Sequence, residues 1–229
     1  MITFGGYMRI KLYNEKNETV IYNVNVPFAR GGFGIVYRLD NVKCLKCFYS
    51  NNLAKSIDVM RDIRELRLDN YYQIYDFLFD NNGDFCGYEM KYYQGHDIDI
   101  MTMSTEYSIE NLRKIAASFR RLNEKRISVV DLNKNNVILD HNNIIVIDTD
   151  LYRRCYCSSD ELMQMNNDAL CRLFINLYYY TMKEKHSVTL DDMRLLRELF
   201  DSSRSIDEIS KKLSKYKYPI DYMYKCRGR

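Results

Sequence analysis

One stretch constrains this chain more than any other: Val129-Val130-Asp131-Leu132-Asn133-Lys134-Asn135-Asn136-Val137-Ile138-Leu139, followed closely by Ile144-Ile145-Val146-Ile147-Asp148. It reads as a tight polar loop between apolar runs, then a buried strand that ends on a carboxylate. Such a layout sets one acid (Asp131), one amide (Asn136) and a second acid (Asp148) on rigid supports around a small volume. These are hard oxygen donors, and their number suits magnesium shared with the phosphates of a nucleotide better than a metal held by protein alone.

The stretch resembles the catalytic loop of the protein kinase superfamily, in which an Asp, a Leu and then an Asn five positions after the Asp precede a short hydrophobic run. The resemblance implies roles by position. Asp131 would accept the proton of the acceptor hydroxyl, Asn136 would hold a magnesium ion, and Asp148 would bridge magnesium to the phosphates. Ile138, in the hydrophobic run, falls among the nucleotide-binding positions. The chain also departs from the family: His-Arg before the Asp is Val129-Val130, and Asp-Phe-Gly is Asp148-Thr149-Asp150. Losing the Arg implies that no phosphorylated activation loop needs to be clamped. Losing the Gly removes a flexible backbone position and adds a carboxylate beside the metal site. The family's Lys two positions after the catalytic Asp is Asn133, and Lys134 next door is the candidate to reach the γ-phosphate.

The same resemblance extends along the chain in order. Ala29-Arg30-Gly31-Gly32-Phe33-Gly34-Ile35-Val36 is similar to the glycine-rich loop, with Ala29 for the first Gly and with Gly31, Gly34 and Val36 in register. Residues without a Cβ let a hairpin tip lay its N–H groups on phosphates, and Phe33 at the tip could shield the reaction from water. In Val42-Lys43-Cys44-Leu45-Lys46-Cys47-Phe48, Lys46 matches the strand lysine and Cys44 the small residue lining the adenine pocket, while Lys43, on the opposite alternation, reads as a solvent lysine. Asn52 to Leu68 has apolar residues at helical spacing, and Asp58, Asp62 and Glu65 share nearly one face. Asp62 best matches the family's partner for the lysine, ahead of Glu65. Tyr72 to Phe79 and Phe85 to Tyr92 form a hairpin. By position, Met90 borders the adenine pocket, and backbone groups of Lys91 and Tyr93 face the base edge.

In the second half, Ser108 is expected to cap a helix that buries Ile109, Leu112, Ala116, Phe119 and Leu122 and carries the catalytic loop. Only Leu151 to Asn167 separate Asp148 from the next helix, Asp168 to Met182, and no Ala-Pro-Glu anchor is present. Asp168 resembles the family's acid that braces the catalytic-loop backbone from a helix start. Further helices are expected at Leu190 to Phe200 and Ser205 to Leu213, with a tail from Tyr216 to Arg229.

Composition narrows the alternatives. With 229 residues and 46% hydrophobic content, the chain can bury a substantial core. A net charge of +3, with Lys and Arg spread throughout, argues against a nucleic-acid face. No run has the length of a membrane span, and the N-terminus lacks a signal-peptide layout, so a cytoplasmic protein without a membrane partner is expected. Seven scattered cysteines predict reduced thiols. Cys44-x-x-Cys47 lies on an expected strand, where residues three apart face opposite ways, which disfavours zinc.

The resulting expectation is an α+β, bilobed, protein kinase-like fold. It comprises an N-terminal β-hairpin extension (1–27), a five-stranded antiparallel N-lobe with one helix (28–92) and a reduced, mainly helical C-lobe (93–229). The expected function is transfer of the γ-phosphate of ATP, bound with Mg2+ or with Mn2+ in place of Mg2+, to a hydroxyl of protein Ser or Thr. A pseudokinase acting as a nucleotide- or partner-binding module, and a kinase for a small molecule, are the alternatives.

Overall fold

The computed structural model describes residues 3–4, 7–49, 57–94, 96–97, 105–141, 143–185 and 189–213. The expected tail from Tyr216, Cys226 within it, and the first turn of the helix expected from Asn52 lie outside these residues. The chain is mixed α and β and divides into two compact units, 1–67 with 72–94, and 68–71 with 95–229.

The first unit is built on one eight-stranded antiparallel sheet: β1 (Thr3–Phe4), β2 (Tyr7–Asn14), β3 (Thr19–Val24), β4 (Ala29–Arg30), β5 (Gly34–Arg38), β6 (Lys43–Phe48), β7 (Ile74–Phe79) and β8 (Phe85–Lys91). The order is β1-β2-β7-β8-β6-β5-β4, with β3 on the other side of β2. The sheet is larger than the five strands expected, because the N-terminal hairpin pairs into it through Tyr13↔Phe79 and Asn14↔Leu78. Three hairpin turns share one device. The side chains of Asn14, Asp40 and Asp80 each accept two backbone N–H bonds from residues two to four positions on, which closes the turn before the strands pair.

Alternation in β6 and β7 sends neighbouring side chains to opposite faces, and each face has its own core. Phe77, Phe85 and Tyr88 pack with Ile57 and Met60 of α1 (Ile57–Leu66) on one face. Leu45, Leu78 and Tyr37 pack with Leu12, Tyr22 and Val24 of the N-terminal hairpin on the other. For β2 and β3 to reach β5 and β6 in this way the sheet must curl. Both faces are thereby removed from water.

The second unit contains β9 (His96–Asp97), α2 (Thr105–Glu124), β10 (Ile127–Ser128), β11 (Val137–Asp140), β12 (Asn143–Val146), β13 (Arg153–Arg154), α3 (Ser159–Lys185), α4 (Leu190–Ser202) and α5 (Ile206–Leu213). Helix α2 begins at Thr105, one turn before the Ser108 expected as its cap, and Ile115 joins Ile109, Leu112, Phe119 and Leu122 in the core while Ala116 is half-buried. Helix α3 begins at Ser159 rather than Asp168. Ser158 and Glu161 explain the early start. The Ser158 hydroxyl accepts from Glu161 N at 3.2 Å, and the Glu161 carboxylate accepts from Ser158 N at 2.9 Å, a reciprocal cap that satisfies two otherwise unpaired donors. Among the described residues no helix is long and apolar enough to cross a membrane.

Candidate functional site

In the second unit, β11 and β12 pair antiparallel from Val137↔Val146 to Asp140↔Asn143. One step beyond the Val137↔Val146 pair, Ile147 N donates to Asn136 O at 2.9 Å. The pairing therefore brings Asn136 alongside Ile147 and next to Asp148, at the same end of the hairpin as the polar loop. Ile138 lies mid-strand, opposite Ile145 and Asp97.

Within the loop, Asp131 has a left-handed backbone (φ +59°), a conformation that costs a non-glycine residue about 1–2 kcal/mol. Two amides offset that cost. Asn136 Nδ2 donates to Asp131 O at 2.7 Å and Asp131 Oδ2 at 3.0 Å, and Asn133 Nδ2 donates to Asp131 O at 3.1 Å and Oδ1 at 2.7 Å. Each carboxylate oxygen keeps a second lone pair, and Asp131 is exposed, so the group is fixed in direction yet open to a further hydrogen-bond donor. Nδ2 of Asn136 is committed to Asp131, so Oδ1 is the amide atom left for another partner. Asp148 is half-buried and accepts from Asp150 N at 3.1 Å. Lys134 opens the short 3-10 turn Lys134–Asn136 and is exposed.

The donor set of one carboxylate and one amide oxygen fits Mg2+, which is ordinarily completed by phosphate and water oxygens. Among the described residues no group of three or more His, Cys, Asp or Glu could hold a metal ion on protein ligands alone.

The residue that braces this loop is Asn166, not Asp168. Asn166 is fully buried in α3, accepts from Val129 N at 2.7 Å and donates to Ile127 O at 3.1 Å. Asp168 lies inside α3, accepts from Gln164 Nε2 at 2.7 Å and sits 3.9 Å from Arg204. Two further buried amides hold β12: Asn70 Nδ2 donates to Ile144 O at 2.8 Å, and Asn111 Oδ1 accepts from Ile144 N at 3.2 Å. Sequence reasoning missed all three. A signal existed for Asn111, a polar residue set between Ile109 and Leu112 on an otherwise apolar helix face.

In the first unit, Lys46 is only 7% exposed. Its Nζ lies 5.9 Å and 5.8 Å from the ring centres of Phe48 and Tyr88. Taking an ammonium out of water costs several kcal/mol, whereas such ring contacts return about 0.5–2. Phe48 and Tyr88 belong to the face covered by α1. On that helix Asp58 is exposed and pairs with Arg61 at 3.1 Å. Asp62 is half-buried, with Val59 and Leu66 beside it on its face, and Glu65 is exposed, so Asp62 is nearest the buried side. Lys43, expected in solvent, is half-buried and pairs with Glu89 at 2.6 Å, because the curled sheet covers that face too.

The glycines divide by role. A Cβ on Gly31 or Gly32 would meet nothing, so the tip, with Phe33 exposed, is open to a ligand. A Cβ on Gly34 would collide with Cys47 O, and one on Gly87 with Lys46 O. Strand β6 thus runs between two glycines that let its neighbours approach, and Gly87 was not anticipated. Ala29 and Val36 pair at the base of the loop. Buried Cys44 pairs with Met90, which packs against the α1-side core. Lys91 N donates to Gln73 O at 2.9 Å, which commits one of the Lys91 and Tyr93 backbone groups expected to face a base. Tyr93 is half-buried, its hydroxyl accepting from Gln73 N at 3.2 Å.

No protein-family model matches the chain, and no curated protein matches it significantly.

Proposed function

We propose that the protein is a phosphotransferase of protein kinase type that moves the γ-phosphate of Mg-ATP to a hydroxyl, with protein Ser or Thr as the acceptor. The observation that carries this is the loop itself: an exposed carboxylate, Asp131, oriented by Asn133 and Asn136, on a hairpin that ends at Asp148. The strand order β7-β8-β6-β5-β4, with buried Lys46 on the central strand, also supports it.

In this reading Asp131 accepts the proton as the hydroxyl oxygen attacks, and the two amides keep the carboxylate aimed through the step. Asn136 Oδ1 and the Asp148 carboxylate are the residues to hold Mg2+, which when bound neutralises phosphate charge. Lys46 is the phosphate cation, and the tip at Gly31 and Gly32, where a Cβ would meet nothing, lets phosphates approach the backbone, although the Gly31 N–H already donates to Gly34 O at 2.9 Å. The segment from Asp148 to α3 is shorter than expected, Thr149 to Ser158, which leaves little chain for a peptide platform. That favours, as a second reading, a small-molecule acceptor.

The test is transfer of labelled phosphate from Mg-ATP to the protein itself, generic protein substrates and a panel of small hydroxyl compounds. Thermal shift with ATP, with and without Mg2+, accompanies it. Asp131→Asn is expected to lower transfer by about 10²–10⁴ while keeping the ATP shift, and Asp148→Ala to abolish the Mg2+-dependent part of the shift. Wild-type transfer in Asp131→Asn would overturn the assignment. ATP binding without transfer in the wild type would leave a binding module.

A further inference from the structure

Six free cysteines are described, and they fall into two kinds. Cys44, Cys47 and Cys171 are enclosed enough that burial pushes their thiols up to about 12, and Cys86 is pushed up to about 11. Such thiols carry almost no thiolate at neutral pH and are inert.

Cys155 and Cys157 differ. They lie in the short segment between β13 and α3, flanked by exposed Arg154, Tyr156 and Ser158. Residues two apart in extended chain face the same way, and their Sγ atoms are 3.0 Å apart. The backbone around them is tied down. Cys155 N donates to Arg126 O at 2.8 Å, Arg126 Nη1 donates to Cys157 O at 2.9 Å, and Arg154 Nη1 donates to Lys125 O. Either thiol can donate across that contact; with Cys157 as the donor, its thiol and its backbone N–H, together with the charges of Arg153 and Arg126, hold the Cys155 thiol below the ordinary range, while Cys157 is held above it. One sulfur is thus prepared as nucleophile, and the other keeps its proton beside it.

We propose that Cys155 and Cys157 form a peroxide-reactive dithiol site that closes reversibly into an intramolecular disulfide. The Cys155 sulfur attacks one oxygen of a hydroperoxide; the O–O bond breaks, the other oxygen leaves as hydroxide and takes up a proton, and Cys155 becomes a sulfenic acid. The Cys157 sulfur then attacks the Cys155 sulfur; an S–S bond forms, the S–O bond breaks, and water leaves with the proton of Cys157. Two thiols are oxidised and one peroxide is reduced to two molecules of water, or to water and an alcohol. The sulfurs need to close by only about 1 Å to reach the S–S bond length of about 2.0 Å, within the reach of side-chain rotation. The site does not depend on the phosphotransfer reading, because neither sulfur belongs to the loop around Asp131.

The test uses the full chain at neutral pH with hydrogen peroxide, quenched with an alkylating agent under denaturing conditions. Digestion with trypsin and a protease cutting before Asp isolates the peptide from Cys155 to Ser159, which contains only this pair. That peptide is expected two hydrogens lighter after peroxide and restored by dithiothreitol, with Cys171 still fully alkylated. In Cys157→Ser, dimedone is expected to label Cys155, at a rate at least about tenfold above that of Cys171 in the folded chain. Full alkylation of both residues after peroxide, oxidation of Cys44, Cys47, Cys86 or Cys171 at an equal rate, or a disulfide between chains in place of the lighter peptide would each overturn the site.

Discussion

Strand β6 in the first unit holds Lys46 by shape, between Gly34 and Gly87 and against the rings of Phe48 and Tyr88. The loop around Asp131 in the second unit is held by amides: Asn133 and Asn136 at the surface, and Asn166, Asn70 and Asn111 in the interior. In the proposed phosphotransfer the difference follows from what each group would do. A cation that binds phosphate gains strength from a low dielectric, so it belongs in a packed, apolar setting. A base that must meet an acceptor has to stay exposed, so side-chain packing cannot fix it and its backbone is fixed instead. The two supports should therefore fail differently. Overpacking is resisted sterically and has no polar remedy, whereas a lost amide leaves buried donors and acceptors unpaired.

The largest effect is expected at Gly87. Gly87→Ala drives a methyl group into the carbonyl oxygen of Lys46, and because the obstacle is backbone the strands must separate. A cost of about 3 kcal/mol or more is expected, with hydrogen exchange quickening across β5, β6 and β8 while β11 and β12 keep their protection. Urea titration followed by circular dichroism suits a chain without tryptophan. A loss below about 1 kcal/mol would show that close strand approach is not what fixes Lys46.

Asn166→Ala comes next. It strands Val129 N and Ile127 O, each worth about 1–3 kcal/mol when buried and unsatisfied, so about 2–4 is expected after partial relaxation. Asn166→Asp keeps an acceptor for Val129 N but sets a carboxylate oxygen against Ile127 O, and it should not rescue. Exchange should quicken over residues 127–131 and leave β6 untouched. Equal quickening in β6 would break the contrast between the two supports, and rescue by Asp would show that the Ile127 contact is dispensable.

How far the sequence could be read follows the same division. Apolar periodicity marked β2, β3, β7, β8, α2, α4, α5 and the described part of α1 to within a few residues, because burial dictated those patterns, whereas β5 and β6 were placed by likeness to the glycine-rich loop and the strand lysine. The order of Asp131, Asn136 and Asp148 placed them on one hairpin because β11 and β12 are adjacent in sequence. What pattern could not show is interaction at long sequence separation between polar atoms. Asn166 and Val129 are 37 residues apart, and Asn70 and Ile144 are 74 apart. Asp168 was chosen for its resemblance to the family's acid at a helix start, but the Ser158-Ser159-Asp160-Glu161 capping box places that start earlier. Curling of the sheet was equally out of reach, since the alternation of β2 and β3 does not say which strands their inner face will meet. For that reason Lys43 was assigned to solvent.

A third, weaker kind of support joins α1 to the hairpin turn: Glu15 accepts from Arg61 at 3.0 Å and from Arg64 at 2.5 Å, with these side chains 25–37% exposed. Burial alone would raise the Glu15 pKa, but the hydrogen bonds and charges of Arg64 and Arg61 outweigh it and hold the carboxyl below its ordinary value of 4.5. A carboxyl with a depressed folded value contributes its stability above the unfolded value and loses it as pH falls through the folded one. Glu15→Gln is therefore expected to cost about 0.5–1 kcal/mol at pH 7, with the difference from wild type closing as pH drops below 4.5. The other titrating groups are common to both proteins and cancel in the difference, except Asp76, whose pKa the Glu15 charge raises. Arg64 also lies 4.6 Å from the ring centre of Phe77, so Arg64→Ala should cost more than Glu15→Gln and keep part of its cost in acid, where only the ring contact is left to lose. Urea midpoints of the three proteins from pH 7 to pH 3 test this. A Glu15→Gln difference that persists undiminished at pH 3 would mean that packing at the turn, rather than charge, ties the hairpin to α1.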